Sequence, residues 1–100
     1  MARSVYEIKA HKQLVGEGYI VDFKARVSRP IRGYHYDFFN LFDLVCYKPN
    51  EPLRWISIKG HAYAPRAHRE ALIAFKMMPG NIKELWIYKI HKTIKREIIE

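Results

Sequence analysis

Cysteine is almost missing. Cys46 is the only one in 100 residues, so the chain can form no internal disulfide and has no second thiol for a zinc site. A buried, chemically quiet thiol is the expectation. No apolar run approaches the roughly 18–20 residues that a membrane-crossing helix needs. The opening Met1-Ala2-Arg3-Ser4 lacks the apolar core of a secretory signal, which points to a cytoplasmic, intracellular setting. Acid is scarce relative to base: ten Asp plus Glu stand against eighteen Lys plus Arg, net +8. That excess suits an anionic partner, of which nucleic acid is the commonest. A generally basic surface would explain it equally. Repeats, low-complexity segments and linker-like stretches are absent, so residues 1–100 read as a single domain. With 49% hydrophobic and 14% aromatic residues, the chain has material for a modest core, which argues against disorder.

The densest pattern lies between Asp37 and Lys59. Two apolar runs flank Lys48-Pro49-Asn50-Glu51-Pro52. Pro and Asn are turn formers, so the pattern predicts two antiparallel strands joined by a five-residue loop. Alternation puts Trp55, Ser57 and Lys59 on one strand face. Asp43 opens the first strand and Lys59 closes the second, so a hairpin brings carboxylate and ammonium to one end.

Ser4 with Glu7 has the spacing of a capping box. A helix is expected from there to about Glu17, stopped by Gly18. Val5, Ile8, Lys12 and Val15 mark one side of it, Tyr6, Ala10 and Leu14 a neighbouring one. From Tyr19 the period becomes two, with Val21, Phe23, Ala25 and Val27 on the apolar face. Residues 28–36 form a basic, aromatic loop. Pro65 suits the first turn of a second helix, with Ala67, Ala71, Leu72, Phe75 and Met78 as its apolar stripe and Pro79-Gly80 as its end. Arg66, Arg69, Glu70 and Lys76 are left to solvent or ligand. Glu84–Ile90 is nearly continuous apolar, as a strand covered on both faces would be. Ile94–Glu100 alternates Ile with charge and reads as an edge strand. The order helix, three strands, helix, two strands predicts a mixed α/β (α+β) domain. Its central mixed sheet of about five strands carries a helix on each face, with one parallel crossover.

An early helix Glu, a strand, an Asp and a strand ending in x-x-Lys resemble the restriction-endonuclease-like PD-(D/E)XK nuclease superfamily. Within it, the likeness is to archaeal and viral Holliday-junction resolvases and small phage nucleases. Glu7 lies eleven residues before Gly18-Tyr19. Asp43 sits in Phe-Asp-Leu-Val, and Lys59 follows sixteen residues later at the end of Trp-Ile-Ser-Ile-Lys. The resemblance implies a restriction-endonuclease-like core and a metal-dependent DNA endonuclease, structure-selective on branched DNA and acting as a homodimer. It implies Mg²⁺ (or Mn²⁺), held by Asp43, the Ile58 carbonyl and Glu7. The catalytic set would be Glu7, Asp43, Ser57 and Lys59.

Such residues must meet because Mg²⁺ wants oxygen ligands, can activate a bound water, and is helped by a neighbouring Lys at the transition state. DNA contacts would come from Arg29, Arg32 and His35 before the site and from His61, Arg66 and Arg69 after it. His68, beside His61, could also reach phosphate.

Ser57 departs from the pattern, which has an acid there. Asp37, or less favourably Asp22, could replace it. A non-catalytic DNA-binding module on the same fold is the alternative. Asp43 and Lys59 could also be an exposed cross-strand ion pair, which is worth little, and Glu7 only a capping residue.

Overall fold

The computed structural model describes residues 5–23, 41–60, 64–89 and 94–99. Ser4, residues 24–40 and His61 lie outside that set. So do the expectations placed there: the capping box, the far half of the first strand, Asp37 with Phe38 and Phe39, and the loop basics.

Helix α1 spans Val5–Gly16. Its buried residues are Glu7, Ala10 and Leu14, a stripe at helical spacing. Val5, Ile8 and Val15, on the neighbouring side, are exposed. One helix can press only one such stripe against a sheet, and the Ala10–Leu14 stripe takes the contact. Gly18 ends the helix as expected, with φ +94°, a conformation that favours glycine. The Tyr19 N–H closes the end on the Leu14 carbonyl at 3.0 Å.

Five strands follow among the described residues: β1 Ile20–Phe23, β2 Leu44–Tyr47, β3 Leu53–Lys59, β4 Asn81–Tyr88 and β5 Ile94–Ile99. They form one sheet in sequence order. β1, β2 and β3 run antiparallel. β4 lies parallel to β3, from Leu53 opposite Asn81 to Lys59 opposite Ile87. β5 returns antiparallel along β4. Helix α2, Arg66–Ala74, lies in the crossover between the parallel strands. The mixed sheet and the parallel crossover are those expected. So is the Lys48–Pro52 loop, where Asn50 takes a left-handed φ of 68° and the Glu51 N–H donates to the Lys48 carbonyl at 3.1 Å.

The sheet separates two cores. Ala10 and Leu14 of α1 pack with Leu44, Cys46, Ile56, Ile58, Trp86 and Tyr88 on one face. Leu72 of α2 packs with Phe42, Leu85, Ile87 and Ile99 on the other. Alternation along β3 therefore sends Ile56 and Ile58 towards α1, and Trp55 and Ser57 towards α2.

α2 is shorter than its apolar stripe suggested. Leu72 is its one buried residue, Ala67 and Ala71 are exposed, and Met78 lies beyond the helix at 74% exposure. What ends the helix is a lysine from the sheet. Lys83, buried on β4, donates from Nζ to the carbonyls of Leu72 (2.5 Å), Ile73 (2.9 Å) and Phe75 (2.6 Å). It satisfies carbonyls that the last turn leaves open and sits at the negative end of the helix dipole.

β4 also begins earlier than its apolar run implied, at Asn81. Lys83 and the adjacent Glu84 are both buried, on opposite faces, and each is paired. Glu84 receives Arg54 Nε at 2.5 Å and Nη2 at 2.7 Å, and Trp86 Nε1 at 3.0 Å. The Arg54 guanidinium also lies over the Tyr19 ring at 4.7 Å. Hydrogen bonding to Glu84 pushes its pKa upward, so the charge is permanent.

Candidate functional site

Asp43 sits in a bend just before β2. Its N–H donates to the Ile56 carbonyl at 2.9 Å. Its Oδ2 accepts the Ile58 N–H at 2.6 Å. Phe42 and Leu44 on either side are fully buried, in the two opposite cores, and they fix the bend. Asp43 itself is 9% exposed. The residue is therefore buried and not on the exposed surface. The carboxylate is held against the backbone of β3 by a charge-assisted hydrogen bond.

Glu7 belongs to the inner stripe of α1 and is 6% exposed. Burying a carboxylate is costly unless it is partnered. The neighbouring Tyr6 shows where this turn lies. Its ring packs on Tyr88 at the end of β4, centroids 5.2 Å apart, and lies so close to Gly60 that a Cβ there would meet ring carbons at 2.2 Å. The first turn of α1 therefore covers the ends of β3 and β4. Glu7 comes from the helix and Asp43 from the start of β2. Asp43 is held at the end of β3 that carries Ile58, half-buried Lys59 and Gly60, and Glu7 follows Tyr6 in the helix turn that covers Gly60. The Ile58 N–H is the group that holds Asp43.

Ser57 is fully buried. Its Oγ lies 2.7 Å from His68 Nε2, and His68 is the third residue of α2. The position expected to face a metal is thus closed over by a helix. Sequence reasoning considered His68 as a phosphate contact and missed this partnership. The available signal was a hydroxyl in the middle of an apolar strand face, which must find a partner when buried.

Of the basic residues expected on DNA, Arg66 projects outward with its side chain 92% exposed and bonds Glu70 one turn on, at 2.8 Å. Arg69 instead ties α2 to β5 through Glu97. Lys95 shares Glu97 at 2.9 Å, and hydrogen bonds from Arg69 and Lys95 hold the Glu97 pKa below the ordinary carboxylate value. Arg96 pairs with Glu17 at 2.8 Å and covers the Trp86 ring at 4.1 Å. Arg29, Arg32, His35 and His61 lie outside the described residues. Asp22 is exposed on β1 opposite Val45.

Among the described residues, no group of three or more His, Cys, Asp and Glu could hold a metal. The buried carboxylates of Glu7 and Asp43 are both hard oxygen ligands. That suits Mg²⁺, which is usually bound by one or two carboxylates and keeps several waters. It does not suit a metal that needs a closed protein cage. No described helix is long and apolar enough to cross a membrane.

The sequence matches no protein-family model and no curated relative. The fold does have a solved counterpart, the 1.6 Å structure of Hjc, a Holliday junction resolvase from the archaeal hyperthermophile Archaeoglobus fulgidus. It superposes with a TM-score of 0.66 over 93% of this chain and 74% of that one, at 14% sequence identity. Identity that low speaks to the fold, and the fold is the restriction-endonuclease-like one.

Proposed function

We propose that this protein is a metal-dependent DNA endonuclease, selective for branched DNA in the manner of a Holliday-junction resolvase. What supports the reading is a fold shared with a resolvase together with two buried carboxylates, Glu7 on α1 and Asp43, which the Ile58 N–H holds against β3. Under this reading Asp43 and Glu7 hold the cation, aided by the Ile58 backbone. A divalent ion there lowers the pKa of a bound water and polarises the phosphate. The chain's own contributions are positional. The Ile58 N–H fixes one oxygen of Asp43. Tyr6 on Gly60 fixes the helix turn that carries Glu7. Lys59, on the last position of β3, offsets charge that develops on the phosphate. Arg66 neutralises a neighbouring phosphate. Cutting two strands symmetrically with one site per chain requires a second copy, so a homodimer belongs to the reading, as does an intracellular setting.

A second reading is favoured by Ser57. A neutral hydroxyl spent on His68 adds no charge for holding a cation, as a DNA-binding module without catalysis would have it. One experiment separates the two. Labelled four-way junction, flap and duplex DNA are incubated with Mg²⁺ or Mn²⁺, with EDTA as control. The nuclease cuts the junction and stops in EDTA. The binding module shifts the same DNAs without cutting.

A further inference from the structure

Among the described residues β5 is the last strand on its side of the sheet. One of its edges pairs with β4. The other turns the N–H and C=O groups of alternate residues outward, a template for a further strand. Ile98 is 64% exposed on this strand, and Lys95 and Arg96 are exposed with it. A lysine on an edge usually keeps other strands away. Here Glu97 follows two residues after Lys95, on the same face of the sheet, and that spacing makes the strand complementary to itself.

Two copies of β5 related by a two-fold axis pair antiparallel, with the axis perpendicular to the sheet. The axis then falls opposite one residue, and that residue names the register. Centred on Arg96, each Lys95 stands opposite the partner's Glu97 and each Ile94 opposite the partner's Ile98. Symmetry makes both pairs occur twice. Centred on Glu97, two carboxylates would meet; centred on Lys95, two ammonium groups would. Like charges directly opposite are destabilising. Arg96 does face its own copy in the first register, but each guanidinium is already paired with Glu17 at 2.8 Å and lies over the Trp86 ring. Lys95 holds Glu97 of its own chain at 2.9 Å by reaching about 6.7 Å along the strand, two residues on. Directly across an antiparallel pair the Cβ atoms are only about 4.5–5.5 Å apart, so the partner's lysine is the nearer donor. We propose that β5 is the self-pairing edge of a homodimer, with Arg96 at the two-fold axis and Lys95–Glu97 and Ile94–Ile98 as its reciprocal pairs.

The proposal deepens, and takes its functional meaning from, the homodimer of the reading above. Arg96 lies opposite Trp86, and Trp86 opposite Ile58. The Ile58 N–H that holds Asp43 is therefore level with the axis. Five strand spacings of about 4.8 Å separate the two Ile58 residues, roughly 24 Å in all. The two Ile58–Asp43 contacts lie on opposite sides of the axis at about that separation.

The test is cysteine cross-linking with sedimentation of the full chain. Opposite residues of an antiparallel pair have Cα atoms about 4.5–5.5 Å apart, inside the disulfide range of about 4.4–6.8 Å. Arg96→Cys should form a disulfide-linked dimer under mild oxidation. Lys95→Cys should not, because the two copies of residue 95 are diagonal neighbours, roughly 7–8 Å apart. Wild type, whose Cys46 is buried, is the control. Ile98→Lys changes a position exposed in the single chain and should weaken the dimer about tenfold, since the lost pair occurs twice. A wild type that sediments as a dimer while Arg96→Cys stays unlinked would overturn the proposal and leave the homodimer reading standing. So would Lys95→Cys linking as readily as Arg96→Cys, or an Ile98→Lys dimer as tight as wild type. A wild type that stays monomeric at the highest concentration reached would defeat the homodimer and this proposal together.

Discussion

Gly60→Ala should loosen the site without touching a charged residue. An added Cβ would lie 2.2, 2.5 and 2.9 Å from three carbons of the Tyr6 ring, where carbons prefer roughly 3.5–4.0 Å. The ring must therefore retreat by more than an ångström. Behind it stands the Tyr88 ring, which is buried, so the retreat has to be shared with the first turn of α1. Overpacking of this kind costs about 1–3 kcal/mol. With a urea slope of about 1–3 kcal/mol/M, the unfolding midpoint should fall by roughly 1 M. Because Glu7 follows Tyr6, Mn²⁺ affinity should fall too. Tyr6→Ala removes the obstacle, so Gly60→Ala should cost almost nothing in that background. Urea denaturation of the four proteins of this cycle measures the coupling. An unchanged midpoint for Gly60→Ala, or equal effects in both backgrounds, would refute the placement of α1 over the end of β3.

Three further outcomes follow from the same structure. Glu84→Gln leaves Arg54 buried without its countercharge while keeping an acceptor for Trp86 Nε1, and should cost about 3 kcal/mol by urea unfolding; a loss below ~1 kcal/mol would make the pair incidental. Glu97 has a lowered pKa in the fold because Arg69 and Lys95 hydrogen-bond to it, so its stabilisation is complete above the unfolded value near 4.5 and is lost as pH falls through the lower folded value; Glu97→Gln should flatten that acid limb in a pH series of thermal melts, and an unaltered limb would contradict the assignment. Arg66→Ala should reduce the log–log salt slope of duplex binding by roughly 0.9 if it neutralises one phosphate, and an unchanged slope removes it from the interface.

The hairpin was legible because each signal in it is local. Residues of the Lys48–Pro52 loop make the turn themselves, and alternation in Leu53–Lys59 sorts Ile56 and Ile58 from Ser57. The end of α1 was legible for the same reason, at Gly18. What was not legible was decided between elements. Val5, Ile8 and Val15 are as apolar as the buried stripe, and only the sheet's position selects the face. Met78 continues the stripe of α2 on paper, but Lys83, a residue of another element, caps the helix at Ala74. Lys83 and Glu84 look like the charged lead-in to a strand until their partners, three carbonyls and Arg54, are seen. The site divides along the same line. Asp43 meets the backbone of β3 across a single hairpin, and that meeting could be found. Ser57 and His68 meet across a crossover, where no spacing rule links a strand hydroxyl to a helix imidazole.

The central claim is that Asp43 holds a cation for phosphodiester hydrolysis. Asp43→Asn tests it most directly, because the amide oxygen can still accept the Ile58 N–H at 2.6 Å while the charge is gone. The measurement is single-turnover cleavage of a labelled four-way junction over a range of Mg²⁺ and Mn²⁺, with binding to the same junction followed in parallel. The account predicts metal-dependent cutting by the wild type and its loss in Asp43→Asn, with junction binding retained. Cleavage by Asp43→Asn at the wild-type rate, or cleavage by the wild type that survives EDTA, would contradict it.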